Sequence, residues 1–422
     1  MTLRFDRTRV LIGQGSLFDI AGSEVVTYEL AEHFAVNGAD VLIATFGASE
    51  SWVERFRALP RTDVLRFDDP ELGARIAAAR PDIAWIHHGL IPEPLLRDPG
   101  STRFVFHHMS GYQFQEFPLS PAVEAALASA IVFPAPESRE AQLASGLFAD
   151  VDESMLTVFG NPAPDAFARD APAGAAAAEL RRILVVSNHP PQEIEDAMEV
   201  LEQRGVEVVR FGGSPTDPRP KRLVTPADIH GVDAVVSIGK TVQYSLVAGV
   251  PVFVYDHFGG PGWLRDPDFD AARQTNFSGR GFTQRSAVEL VAELQGGFAD
   301  AVAGAERLRS AYAEEFLLGS AVARVLDGMG ELRHREIGEV ELRAALLRSE
   351  VMNGLVNAVE ARTLTVKDLT TRLSLAQAEL TELRKVIEAR DAEIEHIRST
   401  PGFAAARKLV DTASRAKRRI TR

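Results

Sequence analysis

Residues 233–255 read DAVVSIGKTVQYSLVAGVPVFVY. The β-branched run Asp233–Ile238 ends on Gly239, a helical pattern starts at Thr241, Gly249 stops it, and Val252–Tyr255 is β-branched and aromatic again. Strand, helix and strand with glycine at the joints make a βαβ unit, in which the two strands run parallel. The alternation extends in both directions. Upstream, Ile183–Ser187 reads as a strand, Gln192–Arg204 as a helix stopped by Gly205, and Val206–Phe211 as a strand ending in Gly212 and Gly213. Downstream, Tyr255–Trp263 reads as an aromatic, glycine-dense loop, and Ser286-Ala287-Val288-Glu289 fits a capping box opening a helix through Leu294.

An earlier set repeats the pattern. Val10–Ile12, Val41–Thr45, Ile83–Ile86, Phe104–His107 and Ile131–Phe133 read as strands. Ser23–Asn37 reads as a helix with Val26, Leu30 and Phe34 on one face and Gly38 as its stop, and Ser120-Pro121 opens another in the N-cap and N1 arrangement. The Ala/Pro/Gly-rich stretch Asp170–Ala178 separates the two sets. These patterns predict an α/β protein with one Rossmann-like, doubly wound domain over 1–168, a linker over 169–179, and a second such domain over 180–335, its last helix placed to return to the first.

Beyond about Glu339, Gly and Pro nearly vanish and heptads begin. Val366, Leu369, Leu373, Ala376, Leu380, Leu383, Ile387, Arg390, Ile394 and Ile397 fall on successive a and d positions, and only Arg390 is polar. This predicts a coiled coil over 339–398. From Val366 to Ile397 it would run roughly 50 Å, and a lone helix would leave that stripe wet, so a homodimer or a hetero-partner strand is expected. Pro401-Gly402 then breaks the pattern and a basic tail over 399–422 follows, with Phe403, Leu409, Val410 and Ile420.

The chain has 422 residues, 46 Lys+Arg and 59 Asp+Glu, for a net charge of −13. From Ser399 onward seven basic residues face Asp411 alone, so the tail is +6 and the rest of the chain −19. An acidic body argues against general nucleic-acid binding, and the tail asks for an anionic surface. The absence of cysteine removes disulfides, thiolate nucleophiles and Cys-ligated zinc. No stretch approaches the ~18 apolar residues of a membrane span. Met1–Arg9 carries three arginines and runs into Val10-Leu11-Ile12 without a signal h-region, which predicts a cytoplasmic protein.

In open α/β sheets ligands sit beyond the carboxyl ends of the strands, where helix N-termini aim amides at anions. Four such ends stand out. The loop Gly13-Gln14-Gly15 through Gly22-Ser23-Glu24 fails as a dinucleotide fingerprint, because Phe18 holds the third glycine's place, yet it leaves a backbone that an anion or sugar can approach. His87-His88 and His107-His108 end neighbouring strands; alternation lets one member of each pair face a cleft, and acceptor-side chemistry, metal binding and plain structural hydrogen bonding all stay open. Gly239-Lys240-Thr241 is not a P-loop, since Ala234 stands where its first glycine belongs, but a lysine beside a helix's first turn can neutralise a diphosphate. In Tyr255–Trp263 the glycines around Phe258 suit a wall for a base or sugar ring. Asp266-Pro267-Asp268 reads as surface acids.

Taken in order, these segments resemble a glycosyltransferase of the GT-B fold, similar to the large family-4 group, over roughly residues 8 to 330. Ala21-Gly22-Ser23-Glu24 resembles the family's Gly-Gly-x-Glu loop, and Ser138-Arg139-Glu140 with Asn161-Pro162 the end of the N-terminal half. Val185–Pro191, Lys240–Tyr244 and Tyr255–Trp263 resemble a bacterial branch that builds cell-surface polysaccharides.

The resemblance implies two lobes facing a cleft and metal-independent transfer of a sugar from a nucleotide donor, with no cofactor and with retention at the anomeric carbon. It places the donor over Ser187, Asn188, His189, Gly212, Gly213, Lys240, Thr241, Gln243, Tyr244, Asp256, Phe258, Gly259 and Gly260, its diphosphate meeting Gly22 and Ser23 across the cleft. It also places His107 or His108 near the reacting sugar. The family's two glutamates, eight positions apart, fall on Val236 and Tyr244, so Gln243 or Asp256 is expected to replace them. The Arg and Lys that commonly bind phosphate after the second half's first strand are also missing. The acceptor is expected to be a surface glycan or a lipid-linked glycan at the inner membrane face, with the tail on anionic lipid. A non-catalytic scaffold recruiting enzymes through the coiled coil, and a sugar-nucleotide epimerase, are the alternatives.

Overall fold

The computed structural model describes residues 4–169, 179–212 and 221–420; Gly213 and the expected linker over Asp170–Ala178 lie outside them. The first lobe holds β1 (Arg9–Gln14), β2 (Asp40–Thr45), β3 (Thr62–Arg66), β4 (Ile83–His87), β5 (Arg103–His107), β6 (Ala128–Phe133) and β7 (Leu156–Val158). They form a sheet in the order β3-β2-β1-β4-β5-β6-β7, and every pairing is parallel. The second holds β8 (Arg182–Val186), β9 (Glu207–Phe211), β10 (Ala234–Ser237), β11 (Val252–Asp256) and β12 (Gly259–Trp263), ordered β12-β11-β10-β8-β9.

Near-continuous apolar strands such as Ile83–His87, buried at every position, are what a sheet covered on both faces requires. Four buried apolar clusters accordingly flank the two sheets. The strand order reverses between β1 and β4 in one sheet and between β8 and β10 in the other, and those reversals open the crevices that ligands use.

The stretch read as a glycine-dense loop is partly strand. β12 pairs antiparallel with β11 along the sheet's edge. A side chain on Gly260 would lie 1.9 Å from the Val254 carbonyl oxygen, and one on Gly259 2.3 Å from that of Thr283. The close backbone approach that the glycines permit is therefore made by the chain to itself.

After the second lobe the helix Leu318–Gly328 returns to the first, where Leu318, Ala321, Val322 and Val325 join the cluster of Leu30, Phe34 and Trp85. Hydrogen bonds from Ala163 N to Phe316 O and from Leu318 N to Ala163 O secure the crossing. The helix Glu339–Ser399 follows, but the compact unit extends to Val356, because Ala345 is buried and Leu342 and Leu346 pack on the first lobe. The first two helical turns and more of the segment expected to be coiled coil thus belong to the body. Asn357–Arg422 forms the second unit. Its tail is no break into coil: Pro401–Ile420 is a helix. Among the described residues no helix is long and apolar enough to cross a membrane.

Candidate functional site

A cavity of about 450 Å3 lies between the lobes of the compact unit. From the second lobe come Ser187, Asn188 and His189 after β8, Gly212 after β9, Gly239, Lys240 and Thr241 after β10, and Asp256 and His257 after β11; Ala21, Gly22 and Val25 face them from the first. Both walls are carboxyl ends of parallel strands or the helix starts that follow them. Gly212, at φ +94°, sits where a side chain would fall 2.2 Å from the Ser187 carbonyl oxygen, so the loop after β8 is pressed against the end of β9. At Gly22 a side chain would meet nothing within 4 Å, and the first turn of the helix Gly22–Val36 is open to the cavity.

Of the expected donor residues, Gly22, Ser187, Asn188, His189, Gly212, Lys240, Thr241, Tyr244 and Asp256 line this cavity. The others do not. Ser23 Oγ turns to Glu24 Oε2 at 2.9 Å. Gln243 is buried and donates to Asn276 Oδ1 at 3.3 Å beside a separate small pocket, so it does not replace the missing glutamates. Phe258 is exposed, 5.9 Å from the Arg280 guanidinium, and Gly259 and Gly260 are buried in β12.

Lys240 reaches the cavity, yet its ammonium already has a partner. Glu29 Oε2, from the first helix of the other lobe, lies 2.6 Å from Lys240 Nζ, which also donates to the Pro162 carbonyl at 2.7 Å. Tyr244 donates its hydroxyl to Glu29 Oε1, and its ring stacks on Phe167 at 4.2 Å. Burial raises the Glu29 carboxyl and lowers the Lys240 ammonium, and their mutual attraction opposes both shifts. A desolvated pair of this kind leaves an uncompensated buried charge if one member is withdrawn, so it does not open for a ligand at small cost.

Two cations that the sequence did not single out are better placed. Lys221 and Arg222 line the cavity. Lys221 Nζ pairs across the cleft with Asp19 Oδ2 at 2.9 Å; Arg222 Nη2 pairs with Asp228 Oδ1 at 2.5 Å and stacks 4.1 Å over Phe211. Their side chains are 31% and 42% exposed. The exposed Lys221–Asp19 pair is worth about 0–1 kcal/mol, so a diphosphate can exchange for that carboxylate; Arg222 holds both oxygens of Asp228, which is only 14% exposed, and is the firmer pair. They follow β9, outside the strand-end pattern searched in the sequence, and a Lys-Arg pair among prolines reads there as solvated surface.

Asp256 completes the wall. Burial raises its carboxyl, and Oδ1 accepts no hydrogen bond among the described residues; His257 Nε2 lies 3.8 Å from it. That oxygen is closed off from solvent, so it accepts a ligand hydroxyl only once the Asp256 side chain turns into the cavity it lines.

The expected acceptor-side histidines do not reach the cavity. His107 is fully buried among Trp85, His87 and Phe159; Trp85 Nε1 donates to its Nδ1 at 3.4 Å, and Nε2 has no partner among the described residues. Burial first, then neighbouring positive charge, lowers it to about 3. His108 faces the other side of the sheet, with Glu124 Oε2 2.9 Å from Nε2 and the Glu116 carbonyl 2.6 Å from Nδ1. Burial lowers it, but Glu124 prevails and the net shift is upward. The half-buried His88 accepts at Nδ1 from Gly15 N and has Nε2 3.1 Å from Glu116 Oε1.

No protein-family model matches the chain, and no curated protein matches it in sequence. Solved structures do. A glycosyltransferase from Rickettsia africae superposes with a TM-score of 0.52 at 12% identity, over 77% of this chain and 98% of that one. An alpha-glucosyltransferase solved with UDP and a 13-mer DNA containing an HMU base superposes with a TM-score of 0.51 at 11% identity, over 76% and 99%. At such identities the likeness is one of fold, and with its two parallel-dominated sheets, facing lobes and returning helix the chain has the GT-B fold that these transferases share.

Proposed function

We propose that this chain is a glycosyltransferase taking a sugar from a nucleotide-sugar donor, and that the donor occupies the interlobe cavity. The observation that carries this most directly is a single cavity lined by Asp256, one of whose carboxylate oxygens has no partner among the described residues, and by two partly exposed cations, Lys221 and Arg222. A nucleoside diphosphate presents the complements, ribose hydroxyls and a charged diphosphate. The apolar stretch of wall from Val186, Phe211, Leu223 and Ile238 takes the base. The amides at Gly22 and at Lys240-Thr241 face the diphosphate, and its charge on departure is met by side chains and amides without metal or cofactor. Retention at the anomeric carbon and a glycan or lipid-linked acceptor complete the proposal, and both rest on the family resemblance.

Titration calorimetry with UDP, GDP and dTDP tests it. One of the three binds, and Arg222→Ala weakens that binding by about ten- to a hundredfold, as a lost charged hydrogen bond does. Asp256→Asn weakens it about tenfold while leaving the fold intact. Silence toward all three sinks the donor assignment and favours the scaffold alternative.

We propose further that the protein is a dimer working at an anionic, cytoplasmic membrane face. The exposed stripe runs beyond the heptads seen in sequence, through Leu355 and Val359, and each of its large apolar members from Val359 to Ile397 is about half exposed or more. The a positions combine Val359, Val366, Ile387 and Ile394 with Leu373 and Leu380, and the d positions hold Leu355, Leu369, Leu383 and Ile397 with Ala376 and Arg390, a seam that supports a two-stranded coil. A protein ending at Val356 is expected to be monomeric by sedimentation and to keep its nucleotide affinity; a dimer there removes the coiled-coil proposal.

A further inference from the structure

The helix Pro401–Ile420 has a chemistry that a basic tail alone does not supply. Pro401 takes the first helical position, Phe403 N donates to Thr400 Oγ1 at 3.4 Å, and Ala404 N to the Thr400 carbonyl at 3.2 Å, so the helix has its own start. At 3.6 residues per turn, Phe403, Ala406, Leu409, Val410 and Ala413 share a face about 120° wide. Lys408 and Arg415 lie on the opposite side, and Arg407 flanks the apolar face beside Phe403. Leu409 and Val410 are 72% and 64% exposed, and among the described residues none of those three cations makes a salt bridge. Lys417 enters the apolar side near the helix end, where a long stem can carry its ammonium outward.

A tail that merely carries charge needs no such separation of faces. A helix that lies in an interface does: its apolar side enters the acyl boundary while its cations remain among headgroups. The occupant is also selected by sign, because the rest of the chain is strongly acidic and is repelled by the surface that attracts this helix. We infer that Pro401–Ile420 is an interfacial helix that inserts its Phe403, Leu409 and Val410 side into an anionic lipid surface. This rests on the membrane clause of the proposed function and specifies how contact is made. Parallel pairing of the preceding coil would bring two such helices to one end, so that the second binds at high effective concentration.

Phe403→Trp in the full-length chain reports insertion directly, since Trp52, Trp85 and Trp263 are buried in the body. With phosphatidylcholine vesicles containing roughly one-third phosphatidylglycerol, its emission is expected to shift to the blue and to be shielded from acrylamide. Cosedimentation is expected to persist in part at about 0.5 M salt, where the screening length is only a few ångströms. Leu409→Gln with Val410→Gln, which leaves the charge unchanged, should lower partitioning at least tenfold while the chain stays dimeric. Full binding with unshifted emission, or with no loss in the glutamine variant, overturns insertion and leaves charge-driven adsorption standing. A glutamine variant that becomes monomeric assigns the stripe to a second copy of the chain and overturns the lipid assignment. No binding to any vesicle overturns the membrane clause itself.

Discussion

Glu29→Ala is expected to lower the unfolding free energy by about 3–5 kcal/mol, a large part of what a globular domain has. The substitution leaves the Lys240 ammonium buried with only backbone carbonyls, Pro162 at 2.7 Å and Asn161 at 3.4 Å, and strips the acceptor from Tyr244. The loss comes from the stranded cation more than from the missing attraction. It follows that Glu29→Leu combined with Lys240→Met and Tyr244→Phe recovers most of the deficit, because apolar replacement of a buried pair is often neutral or better. Urea unfolding of the single and triple variants checks both statements. A loss below about 1 kcal/mol for Glu29→Ala would mean that water reaches the pair. The triple variant also tests the division of labour in the cavity. With Lys221 and Arg222 intact, its nucleotide affinity should change less than that of Arg222→Ala.

The second large effect is on acid stability. Unfolded, His107 takes up a proton near its ordinary value of 6.5; folded, only near 3. Between those values the unfolded chain holds more protons, so the contribution of His107 to stability is complete above pH 6.5 and is lost as pH falls toward 3. At pH 5 that loss is about 2 kcal/mol. His87, whose two ring nitrogens are buried without a partner among the described residues, is lowered in the same direction, whereas His108 is raised and opposes both. His107→Gln keeps an acceptor for Trp85 and removes the titration. Its stability should fall less than that of the native chain between pH 7.5 and pH 5, by about 2 kcal/mol in the comparison. Equal slopes would show that His107 takes up its proton at the same pH in the folded and unfolded chains.

What was legible in the sequence follows from range. Strands such as Ile83–His87 announce themselves because both faces are buried, and the helix Gly22–Val36 because its glycine stop is local. β3 and β7 went unread: they are short edge strands, and Thr62–Arg66 carries charges that a central strand would exclude. The terminal helix was missed although Thr400-Pro401 is the same kind of start as Ser120-Pro121, because proline after a long helix was read as a stop alone. The cavity's strand-end residues were legible from topology. Its pairings were not, since Glu29 meets Tyr244 from 215 residues away and Lys221 meets Asp19 from 202. The histidines were misplaced because alternation gives two faces without naming which one the cleft occupies.

The returning helix bears on how the chain comes off the ribosome. Synthesis delivers the first lobe's strands first, and domains ordinarily fold in that order. Here Leu318 through Val325 cover one face of that lobe's sheet and Ala345 part of the other. The second lobe draws its clusters from residues between Ala163 and Phe316, so it can close sooner. The half born first is the half finished last. Its apolar sheet faces stay partly bare while about half the chain is still being made, and a fragment ending after the first lobe would be insoluble for want of a helix encoded 150 residues later.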